Sequence, residues 1–206
     1  MTQLTLTYFD FNGGRAEPAR LAFAIGGIPF EDKRFAFPEF AEVRKQTPFG
    51  QVPTLHVDGV QITQSDAITR YAGKLAKLYP TDPYQALLCD EVLQAMEDLN
   101  VKLGASFGMT GDALREAREA FVSGPLSTYL RWLQAQLLAR GGEYFADQRL
   151  TVADLKVFVF VRGVVSGRLD HVPTTIVEQL APTVAAHMQR IAALPAVAAY
   201  YAKFAK

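Results

Sequence analysis

Apolar residues recur along this chain at two different spacings. In the first part the spacing alternates between them. Leu4-Thr5-Leu6-Thr7-Tyr8 alternates apolar and polar at a period of two, which predicts a half-buried strand. Phe9–Gly14 then carries Asn12-Gly13-Gly14, a loop signal. From Arg15 to Ile25 the period becomes helical, with Ala19, Ala22 and Phe23 on one face and Gly26-Gly27 as the stop. Ile28–Arg34 reads as a second strand, and Pro38–Lys45 as a short helix. Thr54–Val57 and Val60–Thr63, joined by Asp58-Gly59, form a predicted β-hairpin. Ser65-Asp66 caps a helix running to about Lys77.

After Leu78-Tyr-Pro-Thr-Asp-Pro83, a turn-rich linker, the strand signals vanish. Tyr84–Phe107 is helical in period throughout. Asp112–Arg140 predicts another long helix, bent at Gly124-Pro125. Thr151-Val-Ala-Asp154 resembles a capping box, with Asp in place of Glu, ahead of a strongly apolar helix to about Val165. Short helices follow at Ile176–Leu180 and Pro182–Leu194, and a last one starts at Pro195. The pattern therefore predicts an α/β domain over residues 1–78 and an all-α domain over 84–206.

Composition narrows the class. Of the 206 residues, 50% are hydrophobic and 20% charged, the proportions of a soluble globular protein. Lys+Arg and Asp+Glu each number 21, and the two domains share that balance at about +1 and −1. A basic excess of the kind that binds nucleic acid or a membrane surface is absent, so neither partner is expected. The one cysteine, Cys89, excludes an internal disulfide, a cysteine-rich zinc site and a CxxC pair. With no secretory leader pattern and no apolar run near 18 residues, the cytoplasm is the expected compartment.

Familiar catalytic signatures are missing: there is no GxSxG elbow, no P-loop and no GxGxxG after a strand. His56, His171 and His187 lack metal-ligand spacing, so no metal is expected. Cys89, beside Leu87, Leu88 and Val92, reads as a small core hydrophobe. What remains is a set of polar groups in the first domain. Tyr8 ends the first strand and faces a Gly-rich loop, where its hydroxyl can donate to a nascent anion. Arg15 sits at a helix start, an odd place for a cation against the macrodipole. Gln51-Val52-Pro53 precedes the hairpin. Pro53 cannot join a ladder, which leaves the Val52 backbone for something extended. Gln64-Ser65-Asp66 opens a helix whose N–H groups form an anion site. Each has an ordinary structural explanation alone; together they suit an extended, peptide-like, carboxylate-bearing ligand.

In this order and spacing, Tyr8-Phe-Asp, Gly14-Arg-Ala-Glu17, Pro48-Phe-Gly-Gln-Val-Pro53, Asp58-Gly, Gln64-Ser65 and Ala67-Ile-x-Arg-Tyr71 strongly resemble the cytosolic glutathione S-transferases. The likeness is to the tyrosine type, closest to the sigma class. It continues through Glu97-Asp98, Thr151-x-x-Asp154 and Leu194-Pro-Ala-Val197, nearly the whole chain. The resemblance implies a thioredoxin-like N-terminal domain and an all-helical C-terminal domain.

It also implies a site. Tyr8 would stabilise the glutathione thiolate, with Arg15 adding a positive field. Val52 would pair its backbone with the cysteinyl part, across a cis Val52–Pro53 bond. Gln51 and Pro53 flank it. Gln64 and Ser65 would hold the γ-glutamyl end, completed by Asp98 from the second subunit of a homodimer. Arg44 and Phe40 would meet the glycyl end. Phe40 stands where many sigma members carry Trp, and Gln51 resembles the pi and mu pattern instead. Phe49 matches an aromatic interface residue. Phe9, Asn12, Gly14, Phe107, Lys156 and Phe160 would line a pocket for a small hydrophobic electrophile. The implied reaction is conjugation of that electrophile to glutathione, the co-substrate. Glutathione-dependent isomerisation or peroxide reduction, and a non-catalytic ligand-binding role on the same fold, are the alternatives.

Overall fold

The computed structural model describes residues 2–204. They form two compact units, residues 2–79 together with 194–204, and Pro80–Ala193.

The first unit is built on four strands, β1 (Leu4–Phe9), β2 (Glu31–Phe35), β3 (Thr54–Val57) and β4 (Val60–Ile62), in the order β2-β1-β3-β4. The β1–β2 pair is parallel, joined across α1 (Glu17–Ile25); β1–β3 and β3–β4 are antiparallel. Alternation along β1 turns Leu4, Leu6 and Tyr8 into the core. The β3–β4 turn is tight because Asp58 and Gly59 both take positive φ, 49° and 86°. The strand predicted at 28–34 begins at Glu31, beyond Pro29, which has no N–H for a ladder. The helix predicted at 38–45 is one α turn, α2 (Phe40–Val43), between 3₁₀ turns at Phe37–Glu39 and Arg44–Gln46. None of these residues is buried, so no apolar face extends the helix. The next helix, α3 (Ser65–Leu75), packs against α1 through a face that buries Ile68 and Ala72.

The second unit is helical: α4 (Pro83–Gly104), α5 (Gly111–Phe121), α6 (Ser127–Ala139), α7 (Val152–Val164), α8 (Ile176–Leu180) and α9 (Pro182–Ala192). Asp82 caps α4 by accepting from the Gln85 N–H at 2.9 Å. The bend predicted at Gly124-Pro125 is a wide π turn over Val122–Leu126, which accommodates a proline without an N–H. Ser127 Oγ donates to the Val122 carbonyl there at 2.7 Å. Eleven of the thirteen α7 residues are buried, so this helix is the unit's core, against α4 and α9. Asp154 anchors its start. The Asp154 carboxylate accepts from the Thr151 N–H and hydroxyl, both at 2.8 Å, and from the Phe145 N–H at 3.0 Å. His187, fully buried, meets Asp154 Oδ1 at 3.0 Å.

The last helix, α10 (Pro195–Ala202), differs from the expected boundary of 84–206. It folds with the first unit, packing on α1 with Val197 and Tyr200 buried at i, i+3 spacing.

Candidate active site

Tyr8, the penultimate residue of β1, is 5% exposed. Its hydroxyl oxygen accepts a hydrogen bond from the Arg15 backbone N–H at 3.1 Å. The loop between them closes tightly. Gly14 has φ +68°, and a Cβ there would lie 2.6 Å from the Tyr8 hydroxyl and 2.9 Å from the Phe11 ring. Only glycine lets the backbone rest on the phenol in that conformation. A hydroxyl that accepts from an N–H is polarised into a better donor, which is the property needed beside an anion.

The other predicted glutathione-contacting residues of the first unit fall into distinct settings. The Val52–Pro53 bond is cis, and the β3 register with β1 ends at Thr7–Thr54, so Val52 lies outside the ladder. Gln64 precedes α3 with φ 72°, and Ser65 is the helix's first residue. The first-turn N–H groups and the positive helix end therefore stand beside both side chains. Asp66, buried in the same turn, adds a negative charge there. The Arg44 guanidinium lies over the half-buried Phe40 ring, 5.4 Å from its centroid, so these two form one surface. Gln51 is exposed and Pro53 buried.

Two of the expected pocket residues have defined neighbours in the first unit. The Phe9 ring meets the Tyr8 ring edge to face, 5.2 Å between centroids, and also packs among Phe35, Phe37 and Phe40, with centroids 4.8, 4.6 and 5.1 Å away. Asn12 Oδ1 accepts from Arg34 at 3.0 Å. In the second unit, Lys156 and Phe160 are buried on α7, and the Lys156 ammonium lies 3.1 Å from Glu97. Phe107 is exposed, with the Arg118 guanidinium 5.6 Å from its ring centroid. Asp98 is exposed and accepts from the Tyr129 hydroxyl at 3.4 Å. Burial pushes that phenol's pKa up, and the Asp98 charge adds to the shift.

Sequence reasoning missed a charged network behind the loop. Arg20 on α1 is completely buried and binds Glu17, Asp32 and two carbonyls of the loop, Phe9 and Phe11. Arg34 continues it through Asp32, at 2.7 Å. Burial raises the Glu17 pKa, against the pull of Arg20. The signal in the sequence was Glu17–Arg20 at i, i+3 inside an apolar run.

Among the described residues, no group of three His, Cys, Asp or Glu side chains stands close enough to hold a metal. No helix is long and apolar enough to cross a membrane.

Comparison with known proteins gives a consistent result. Residues 4–74 match the glutathione S-transferase N-terminal domain family, and residues 97–204 the glutathione S-transferase C-terminal domain family. Glutathione S-transferase 1 of Ascaris suum is 34% identical over 76% of this chain and 78% of its own. The hematopoietic prostaglandin D synthase of Gallus gallus is 31% identical over 98% of this chain and 97% of its own. Among solved structures, a sigma class GST of Fasciola hepatica superposes with a TM-score of 0.84 at 26% identity, covering 100% of this chain and 98% of that one. A prostaglandin synthase D of Nilaparvata lugens superposes with 0.85 at 27% identity, covering 99% of both.

Proposed function

The chain belongs to the glutathione S-transferase family, and from that premise we propose that it adds the glutathione thiolate to small hydrophobic electrophiles, with Tyr8 stabilising the thiolate. Its fold is the thioredoxin-like domain with a helical domain, and its sigma-like character agrees with its relatives. The observation that carries the mechanism is the Tyr8 hydroxyl held on the Arg15 N–H by a loop only glycine can close.

A free cysteine thiol titrates near ~8.5, and lowering it by ~2 units requires ~2.7 kcal/mol of preference for the anion. A hydrogen bond from a polarised phenol to sulfur, within the positive field of Arg15, is of that order. Val52 pairs its backbone with the cysteinyl part of glutathione. Gln64 and Ser65 take the γ-glutamyl carboxylate at the α3 N-terminus. Arg44, spread on Phe40, meets the glycyl carboxylate, with Gln51 and Pro53 flanking the peptide. Asp98 of a second copy completes the γ-glutamyl end in a homodimer. The exposed Tyr84, Leu87 and Val101 on α4 support association there. The site then works by positioning and anion stabilisation, with no covalent intermediate on the enzyme. The expected compartment is the cytoplasm.

A second reading rests on two similar proteins whose names are those of prostaglandin D synthases. It is glutathione-dependent isomerisation, in which glutathione is regenerated. A panel of aryl halides, unsaturated carbonyls, endoperoxides and hydroperoxides, assayed with glutathione on wild type and Tyr8→Phe, separates the readings. Conjugation lowered 10- to 100-fold by Tyr8→Phe supports the first. Turnover confined to endoperoxides favours the second, and no turnover on any class overturns both.

A further inference from the structure

We propose that Arg20 is a positioning residue for the thiolate-stabilising hydroxyl: it fixes the loop that sets where Tyr8 points. The inference rests on the role proposed for Tyr8. One guanidinium holds four groups from three segments. Nη1 donates to the Phe11 carbonyl at 2.9 Å and to Glu17 at 3.2 Å; Nη2 donates to the Phe9 carbonyl at 3.3 Å; Nε donates to Asp32 at 3.0 Å. Phe9 and Phe11 begin the loop that leaves Tyr8 and returns to it at Gly14 and Arg15. That loop is pinned at its start by Arg20 and at its end by the Tyr8 hydroxyl. Releasing the start frees the Arg15 N–H to move from the phenol.

Charge does not explain the arrangement. The Arg20 guanidinium is 5.7 Å from the Tyr8 ring centroid, but it is flanked by Glu17 and Asp32, so its field at the phenol is largely cancelled. Shape does explain it. A planar fork with five donors spans two carbonyls and two carboxylates at once, and an ammonium on a flexible stem cannot. Lysine at residue 20 therefore keeps the charge and loses the function, which separates positioning from electrostatics.

The test is the pH profile of kcat/KM for glutathione with a nitro-activated aryl chloride, measured on the full chain as wild type, Arg20→Lys, Asp32→Glu and Tyr8→Phe. A profile midpoint is independent of how much protein is folded, so a merely structural role leaves it unmoved. The expected result is a midpoint raised by about one pH unit in Arg20→Lys, a tenfold loss of rate near neutrality. Asp32→Glu, which keeps the negative charge and displaces the carboxylate that anchors Nε and pairs with Arg34, shifts it in the same direction by less. Should Arg20→Lys fail to fold, Asp32→Glu, at a position 23% exposed, carries the test. Midpoints unchanged in the folded variants while Tyr8→Phe moves its own overturn this inference alone. An unmoved midpoint in Tyr8→Phe overturns the role of Tyr8 and this inference with it.

Discussion

A methyl group on residue 14 would sit 2.6 Å from the Tyr8 hydroxyl and would force an L-residue into φ +68°. Gly14→Ala is therefore expected to destabilise the fold by about 1–3 kcal/mol and to lower conjugation more than tenfold. Urea unfolding and steady-state rates measure the two effects. Cys89 gives a prediction of the opposite kind, chemical silence. It is fully buried, and burial pushes its thiol from 9.0 up to about 12. Native protein should resist alkylation at pH 8, as quantified thiol labelling would show. The unfolded thiol ionises first, so the folded state binds the extra proton and loses stability as pH rises from 9 towards 12. The slope is about 1.4 kcal/mol per pH unit relative to Cys89→Ala, which lacks it. At this scale, residue type and position drew attention to Tyr8, Gln64 and Ser65. Arg20 stayed hidden because its meaning depends on Asp32, twelve residues away on β2, and on backbone carbonyls that have no sequence signature.

Elements with a local cause were legible. The Asp58-Gly59 hairpin follows from turn chemistry, and the π turn at Pro125 from a missing N–H. The region at 37–46 was less so, because its spacing suggested a helix while the fold gives it no face to bury. The start of α7 has a tested-by-deletion logic of its own. The Asp154 carboxylate serves the Thr151 N–H and hydroxyl, the Phe145 N–H and His187, all buried. Asp154→Ala is expected to cost about 3–5 kcal/mol, because it strands several buried donors at about 1–3 kcal/mol each, and Asp154→Asn less. Equilibrium denaturation followed by helical circular dichroism reads both.

At the scale of the molecule, chain order and structural membership part company at the C-terminus. Residues after 193 read as a continuation of the helical run, because local periodicity reports a helix but not its partner. The buried Val197 and Tyr200 seat α10 on α1, and the Phe204 ring lies 4.8 Å from the Arg34 guanidinium. Tyr200→Ala is accordingly expected to destabilise the first unit by about 3–5 kcal/mol, as core aromatic deletions do, and to weaken glutathione binding there. Thermal unfolding with and without glutathione measures both. The proposed homodimer predicts a solution mass near twice 22.7 kDa by light scattering, and 22.7 kDa would count against Asp98 serving a second copy. The neutral net charge is compatible with the proposed site because the charges assigned to it are local: Arg15, Arg44 and the start of α3.

The central claim concerns the state of the bound sulfur, and ultraviolet thiolate absorbance reports it directly. Glutathione is saturated on wild type and on Tyr8→Phe, and the absorbance is titrated with pH. The account predicts a thiol about 2 units below its free value on wild type and close to that free value on Tyr8→Phe, with binding retained. Equal titration midpoints on the two proteins would contradict it.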